Sequence, residues 1–154
     1  MNEKIMDIIS RLTTPEECDI VAKNNETRNP ALALAAKRKA VQLRADKFGA
    51  NNEVEKEALQ AVYAYEETLF KKHGKRQRAS RTWRMIKEKG IIPAVENTVT
   101  RKNETTGYQA LLEMGMQDFA FEAVVCRHPE FFSSEALRCS KERLNKWQID
   151  YNKI

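Results

Sequence analysis

Two prolines, each placed directly after a side chain able to cap a helix, limit the possible folds more than any other feature of this chain. TTPEECDIVAKN sets Pro15 after Thr14, with Glu17 three residues beyond the threonine, and NPALALAAKRKAVQLRADKFG sets Pro30 after Asn29. A proline at the first helical position loses no hydrogen bond and arrives with φ preset, while Thr14 and Glu17 can close a reciprocal capping box. The second segment runs unbroken to Phe48 and stops at Gly49, a residue suited to the left-handed turn that ends helices. The chain therefore opens in helices, one of them long.

After the short GANN connection, EVEKEALQAVYAYEETLFKK spaces Val54, Ala58, Ala61, Tyr65 and Leu69 at helical intervals, and Leu59, Val62 and Phe70 widen the stripe. Glu53, Glu57, Gln60, Glu67 and Lys71 fall on the opposite side, where carboxylates are expected to face water and balance lysines. Tyr63 and Tyr65 are expected at the core or its boundary. Two long helices joined by so short a loop are expected to pair, making residues 30–72 an αα-hairpin spine.

The remaining pieces are shorter. Residues 79–89 make a helix that ends at Gly90, and IIPAVENTVT makes another entered near Pro93, a pair with the outline of a helix-turn-helix. NTVT alone is open to an extended conformation, and it lacks the neighbours a sheet requires. TGYQALLEMG, MQDFAFEAVVCRHP and SSEALRCSKERLNKWQIDY give three more helices, broken at Gly115 and Pro129. Phe119, Ala123 and Cys126 should line one side of the middle one, and Leu137, Leu144 and Trp147 should point inward from the last. No fixed-period repeat supports a solenoid. The expected fold is all-α: one compact multi-helix domain over 1–154, with the αα-hairpin at 30–72, a basic loop and helix-turn-helix-like pair at 71–100, and C-terminal helices at 105–150.

Charge is the second strong feature. KKHGKRQRASRTWRMIKEKG, residues 71–90, holds nine of the 27 Lys and Arg and one of the 22 Asp and Glu, leaving 18 basic against 21 acidic residues elsewhere. A segment of +8 on a body of −3 points to an anionic partner, nucleic acid first. On the helix from Ala79, Thr82, Trp83 and Ile86 share a sector, so Trp83 should be largely buried against the hairpin, while Arg81, Arg84 and Lys87 share a solvent flank. Lys71, Lys72, Lys75, Arg76 and Arg78 precede them in a flexible approach that turns at Gly74. Arginine forks and mobile lysines grip phosphate without reading bases, for which Gln77, Ser80 and Arg81 have the suitable side chains.

The nucleic-acid site expected from sequence is therefore Lys71, Lys72, Lys75, Arg76, Gln77, Arg78, Ser80, Arg81, Arg84 and Lys87, with DNA favoured. The bland alternative for these residues is a solvated charged face. A helical accessory module meeting an acidic protein through the same face is the rival function. A third is capture of a small phosphorylated ligand at a helix N-terminus by Arg78, Ser80, Arg81 and backbone amides.

Enzymatic and metal readings find little support. His73 and His128 stand alone, outside any zinc or base-activating pattern, and suit a surface position and a helix C-terminus respectively. No nucleophile elbow, phosphate-binding loop or dinucleotide fingerprint occurs, so no catalytic residue and no cofactor is expected. Cys18, Cys126 and Cys139 have neither the number nor the spacing of a disulfide framework and are expected to be reduced and mostly buried. No apolar run approaches the ~20 residues of a membrane span, and MNEKIMDIISRL lacks a cleavable leader pattern. The expected setting is cytoplasmic, with no membrane partner.

Overall fold

The computed structural model describes residues 2–102 and 107–148, and these are helical throughout, with no strand among them. Nine α-helices occur in this part: α1 (Glu3–Ser10), α2 (Pro15–Asn25), α3 (Pro30–Phe48), α4 (Glu53–His73), α5 (Ser80–Lys89), α6 (Ile91–Val99), α7 (Gly107–Glu113), α8 (Phe121–Arg127) and α9 (Ser134–Lys146). Single 3-10 turns, Gln117–Phe119 and Pro129–Phe131, flank α8. The expected C-terminal helices at 105–150 lie partly outside the described residues, at 105–106 and 149–150.

The chain divides into two compact units, residues 1–49 and 50–154. That division falls at Gly49, inside the span expected to form a 30–72 hairpin. In the first unit the dominant pair is α2 with α3, joined by residues 26–29, with α1 also against α3. The capping box forms as its sequence implies: Thr14 Oγ1 accepts from Glu17 N at 3.2 Å, and Glu17 Oε1 accepts from Thr14 N at 3.0 Å. Asn29 caps α3 by accepting from Leu32 N, and Gly49 ends it at φ 83°. Ile5, Leu32 and Ala35 form a small core with Ile9 and Val21 packed on it. Arg44 Nη2 donates to Asp19 Oδ2 at 2.8 Å, tying α3 to α2.

In the second unit α4 is the central element, packed by α6, α7 and α8. Ala58 meets Val95, Val99, Val125 and Ala136 in one cluster, and Val54 and Ala61 meet Val124 in another. Part of its polar side is covered as well, while Glu53 and Lys71 near its ends stay exposed. Glu67 is 4% exposed, and Glu57 is held by Arg127 and His128, so neither carboxylate faces water as expected. NTVT is not extended: Asn97–Val99 belong to α6 and Thr100 is its C-cap at φ −96° and ψ −1°. Phe119 is buried from the 3-10 turn, while Leu144 is fully buried in α9 and Leu137 is half-buried. Trp147, half-buried, stacks on Tyr108 with ring centroids 3.5 Å apart. Ser133 caps α9, its own N–H and hydroxyl donating to Glu96 at 2.9 and 2.5 Å.

Candidate functional site

The basic stretch begins in the last turn of α4 and occupies α5. Gly74 ends α4 in the left-handed region at φ 72°, and its N–H donates to the Phe70 carbonyl. Gly90 ends α5 and begins α6, so the two helices meet at a single residue rather than across a three- or four-residue turn. Its φ of 97° with ψ of 167° is a conformation open essentially to glycine alone.

Lys71, Lys72 and Lys75 are exposed around the end of α4. Arg81, Arg84 and Lys87 are exposed along α5 at intervals of three residues, and no ion pair engages them among the described residues. Two arginines of the stretch are already committed within the chain. Arg76 forms a short ion pair with buried Glu67 and lies over the Phe70 ring at 4.2 Å, and Arg78 lies over the Trp83 ring at 5.0 Å. Gln77 is half-buried, and the Ser80 hydroxyl donates to the Arg78 carbonyl at 3.4 Å.

The inner side of α5 differs from expectation. No residue within the helix is fully buried, and Trp83 is half-buried. Its indole leans on Tyr63 with centroids 5.2 Å apart, and its Nε1–H donates to Glu66 Oε2 at 2.7 Å. The anchor is thus a ring and a hydrogen bond on α4 rather than core burial. Tyr63 and Tyr65 are both half-buried, at the boundary.

Beside the start of α5 a cavity of about 430 Å³ opens within the second unit. α4 supplies Tyr65 and Leu69, the first turn of α5 supplies Ser80, Arg81 and Thr82, and Thr98, Arg101, Tyr108 and Glu122 complete its polar lining. Glu122 is neutralised by Arg143, 2.9 Å away, with both side chains less than a tenth exposed. Arg143 also donates to the carbonyls of Thr98 at 3.3 Å and Arg101 at 2.5 Å, which fixes the backbone at the mouth of the cavity. Arg101 and Tyr108 were outside the sequence reading because neither belongs to the charge run. Arg101 is held there by Arg143, and Tyr108 by the packing of α7 on α4.

His128 ends α8 as its C-cap, and its Nε2 lies 2.7 Å from Glu57 Oε2. No cluster of His, Cys, Asp and Glu among the described residues could hold a metal ion. The three cysteines are free, with Cys18 buried and the others half-buried. Burial pushes the Cys18 thiol up to about 11. No described helix is long and apolar enough to cross a membrane. No protein-family model, no curated protein and no solved structure matches this chain.

Proposed function

We propose that this chain binds nucleic acid, with duplex DNA favoured, by gripping phosphates along the exposed flank of α5. The observation that carries the reading is the row Arg81, Arg84 and Lys87: three exposed cations in register, unengaged by carboxylates, on a helix held from its other side by Trp83. At 1.5 Å per residue the row spans about 9 Å of helix, and Lys71, Lys72 and Lys75 extend the positive surface beyond it. Arg76 and Arg78 are exposed as well, while also engaged with Glu67 and Phe70 and with Trp83 respectively. α6 holds the place of a recognition helix in a helix-turn-helix-like pair, yet it has no Lys or Arg and buries Ala94, Val95 and Val99. Backbone grip by α5 therefore fits better than groove reading by α6. Free thiols are in keeping with a reducing, cytoplasmic setting.

The test is retention of duplex DNA over a salt series. Log affinity should fall linearly with log salt at a slope of about −0.9 per phosphate contacted. Replacing Arg84 and Lys87 together with Gln should flatten the slope by about two units. An unchanged slope would move the contacts elsewhere, and no retention at low salt would end the nucleic-acid reading in favour of an acidic protein partner.

A further inference from the structure

We infer that Ser80 is a phosphorylation site, modified by a serine kinase that reads arginine, and that its phosphate switches off the grip of α5; the switching role rests on the nucleic-acid reading above. Ser80 is exposed at the first position of α5, and its hydroxyl makes one long hydrogen bond, to the Arg78 carbonyl at 3.4 Å. Its oxygen is therefore accessible and weakly committed. Other hydroxyls close to cations in sequence differ: Thr82 is half-buried, Ser140 is fully buried, and Ser10 and Thr100 donate to carbonyls of the preceding turn at 2.7 and 2.8 Å. Among the described residues, Ser80 alone joins an exposed hydroxyl to Arg76 and Arg78 before it and Arg81 and Arg84 after it.

Residues 74–79 lie outside any helix, so the approach to Ser80 is open chain that carries exposed Lys75, Arg76 and Arg78. Kinases select substrates by such charge patterns. Arg76 is held by Glu67, whereas no ion pair among the described residues holds Lys75, Arg78 or Arg81. The step is phosphoryl transfer from ATP. Ser80 Oγ bonds to the γ-phosphorus, the bond from that phosphorus to the β,γ-bridging oxygen breaks, ADP leaves, and the hydroxyl proton passes to the kinase's carboxylate base.

The consequence follows from helical register. Ser80, Arg84 and Lys87 stand four and then three residues apart and share one stripe of α5, so a phosphate on Ser80 meets Arg84 across a single turn. A phosphoserine carries a charge of about −1.5 to −2 at neutral pH. That charge offsets about two of the three cations of the row, and an arginine fork holds phosphate by strong, charge-assisted hydrogen bonds. The row then grips its own phosphate in place of a partner's. Glu66, which accepts from Ala79 N on the α4 side, repels the new charge and turns it toward Arg84.

Treatment of the chain with ATP and the catalytic domain of an arginine-directed serine kinase, followed by mapping of the phosphate by mass spectrometry, tests the site. One phosphate is expected at Ser80, and Ser80→Ala should take up none. In the phosphorylated protein the phosphorus resonance should titrate at lower pH when folded than in urea, and Arg84→Gln should remove part of that difference, a readout independent of DNA. Duplex retention should weaken at least about tenfold at physiological salt on phosphorylation, with a salt slope about two units flatter. No phosphate at Ser80, a phosphate that titrates alike folded and unfolded, or an unchanged slope overturns the proposal. Failure of the unmodified protein to retain duplex would end the nucleic-acid reading and the switching role together, and the mapping and titration distinguish that failure from failure of Ser80 as the site.

Discussion

The indole N–H of Trp83 and the backbone N–H of Ala79 both donate to one oxygen, Oε2 of Glu66, at 2.7 and 2.8 Å. A carboxylate thirteen residues upstream thus meets the N–H of the N-cap residue itself, where α5 has no capping side chain, and it fixes the helix that carries the cationic row. Both donors are half-buried or buried, so their loss of a partner is only partly repaired by water. Glu66→Ala should destabilise the protein by about 1–3 kcal/mol, and Trp83→Phe, which keeps the ring against Tyr63, by about 1 kcal/mol. Urea unfolding checks both. Equal stability of all three proteins would mean that this carboxylate positions nothing.

Gly90 gives a prediction about backbone rather than side chains. A Cβ there would lie 3.6 Å from Pro93 Cδ, an ordinary contact, so the cost of Gly90→Ala comes from φ 97° and ψ 167°. That region costs a non-glycine residue on the order of 1–3 kcal/mol. Gly49 sits in the milder left-handed region with open space around its missing Cβ. Gly49→Ala should therefore cost less, about 1–2 kcal/mol. The order of the two denaturation midpoints is the measurement.

Local signals in the sequence translated well because they are decided within one turn of chain. Thr14, Pro15 and Glu17, Asn29 with Pro30, and the stops at Gly49 and Gly90 all sit where neighbour-to-neighbour chemistry puts them. Partnerships between helices were less legible. Nothing local distinguishes Glu57, which meets Arg127 and His128 some seventy residues on, from Glu53, which faces water. The flank of Arg81, Arg84 and Lys87 followed from helical spacing alone. The diversion of Arg76 to Glu67 and the assembly of Arg101 with Tyr108 depend on how the helices of the second unit pack, which periodicity does not encode.

Glu57 should make stability depend on acid. Burial works to raise its carboxyl, yet hydrogen bonds from His128 and Arg127, with the charge of both, outweigh burial and hold it below its ordinary value of 4.5. A carboxyl lowered in the folded state stabilises fully above its unfolded pKa and loses that contribution as pH falls through the folded one. Wild type should therefore lose more stability than Glu57→Gln between about pH 5 and about pH 3, with the variant already weaker at neutral pH. The comparison is of slopes against pH. Parallel slopes would assign the acid sensitivity to other carboxylates.

Arg143 and Glu122 form a buried pair whose halves are unequal to lose. Arg143→Met takes from the buried Glu122 its ion-pair partner and frees the carbonyls of Thr98 and Arg101, so it should cost about 3–5 kcal/mol. Adding Glu122→Met removes the buried carboxylate and should recover part of that loss, leaving the unmet carbonyls as the remainder. A double variant as unstable as Arg143→Met would show that the carbonyls, not the charge, set the cost.

Sequence preference is the last expectation, and it follows from what α5 and α6 expose. The row on α5 is cationic, Gln77 is half-buried, and the Ser80 hydroxyl is turned to the Arg78 carbonyl, so few neutral donors are left to read a base edge. α6 offers Asn97 on its exposed side but no Arg or Lys. Backbone grip without base readout gives weak, nearly uniform affinity, about 10⁻⁶–10⁻⁴ M at physiological salt. Selection from randomised duplexes should then return no motif. A short enriched motif, with preference at one base pair relaxed by about 1–3 kcal/mol in Arg81→Gln or Gln77→Ala, would instead put α5 in the major groove and overturn the backbone-only account.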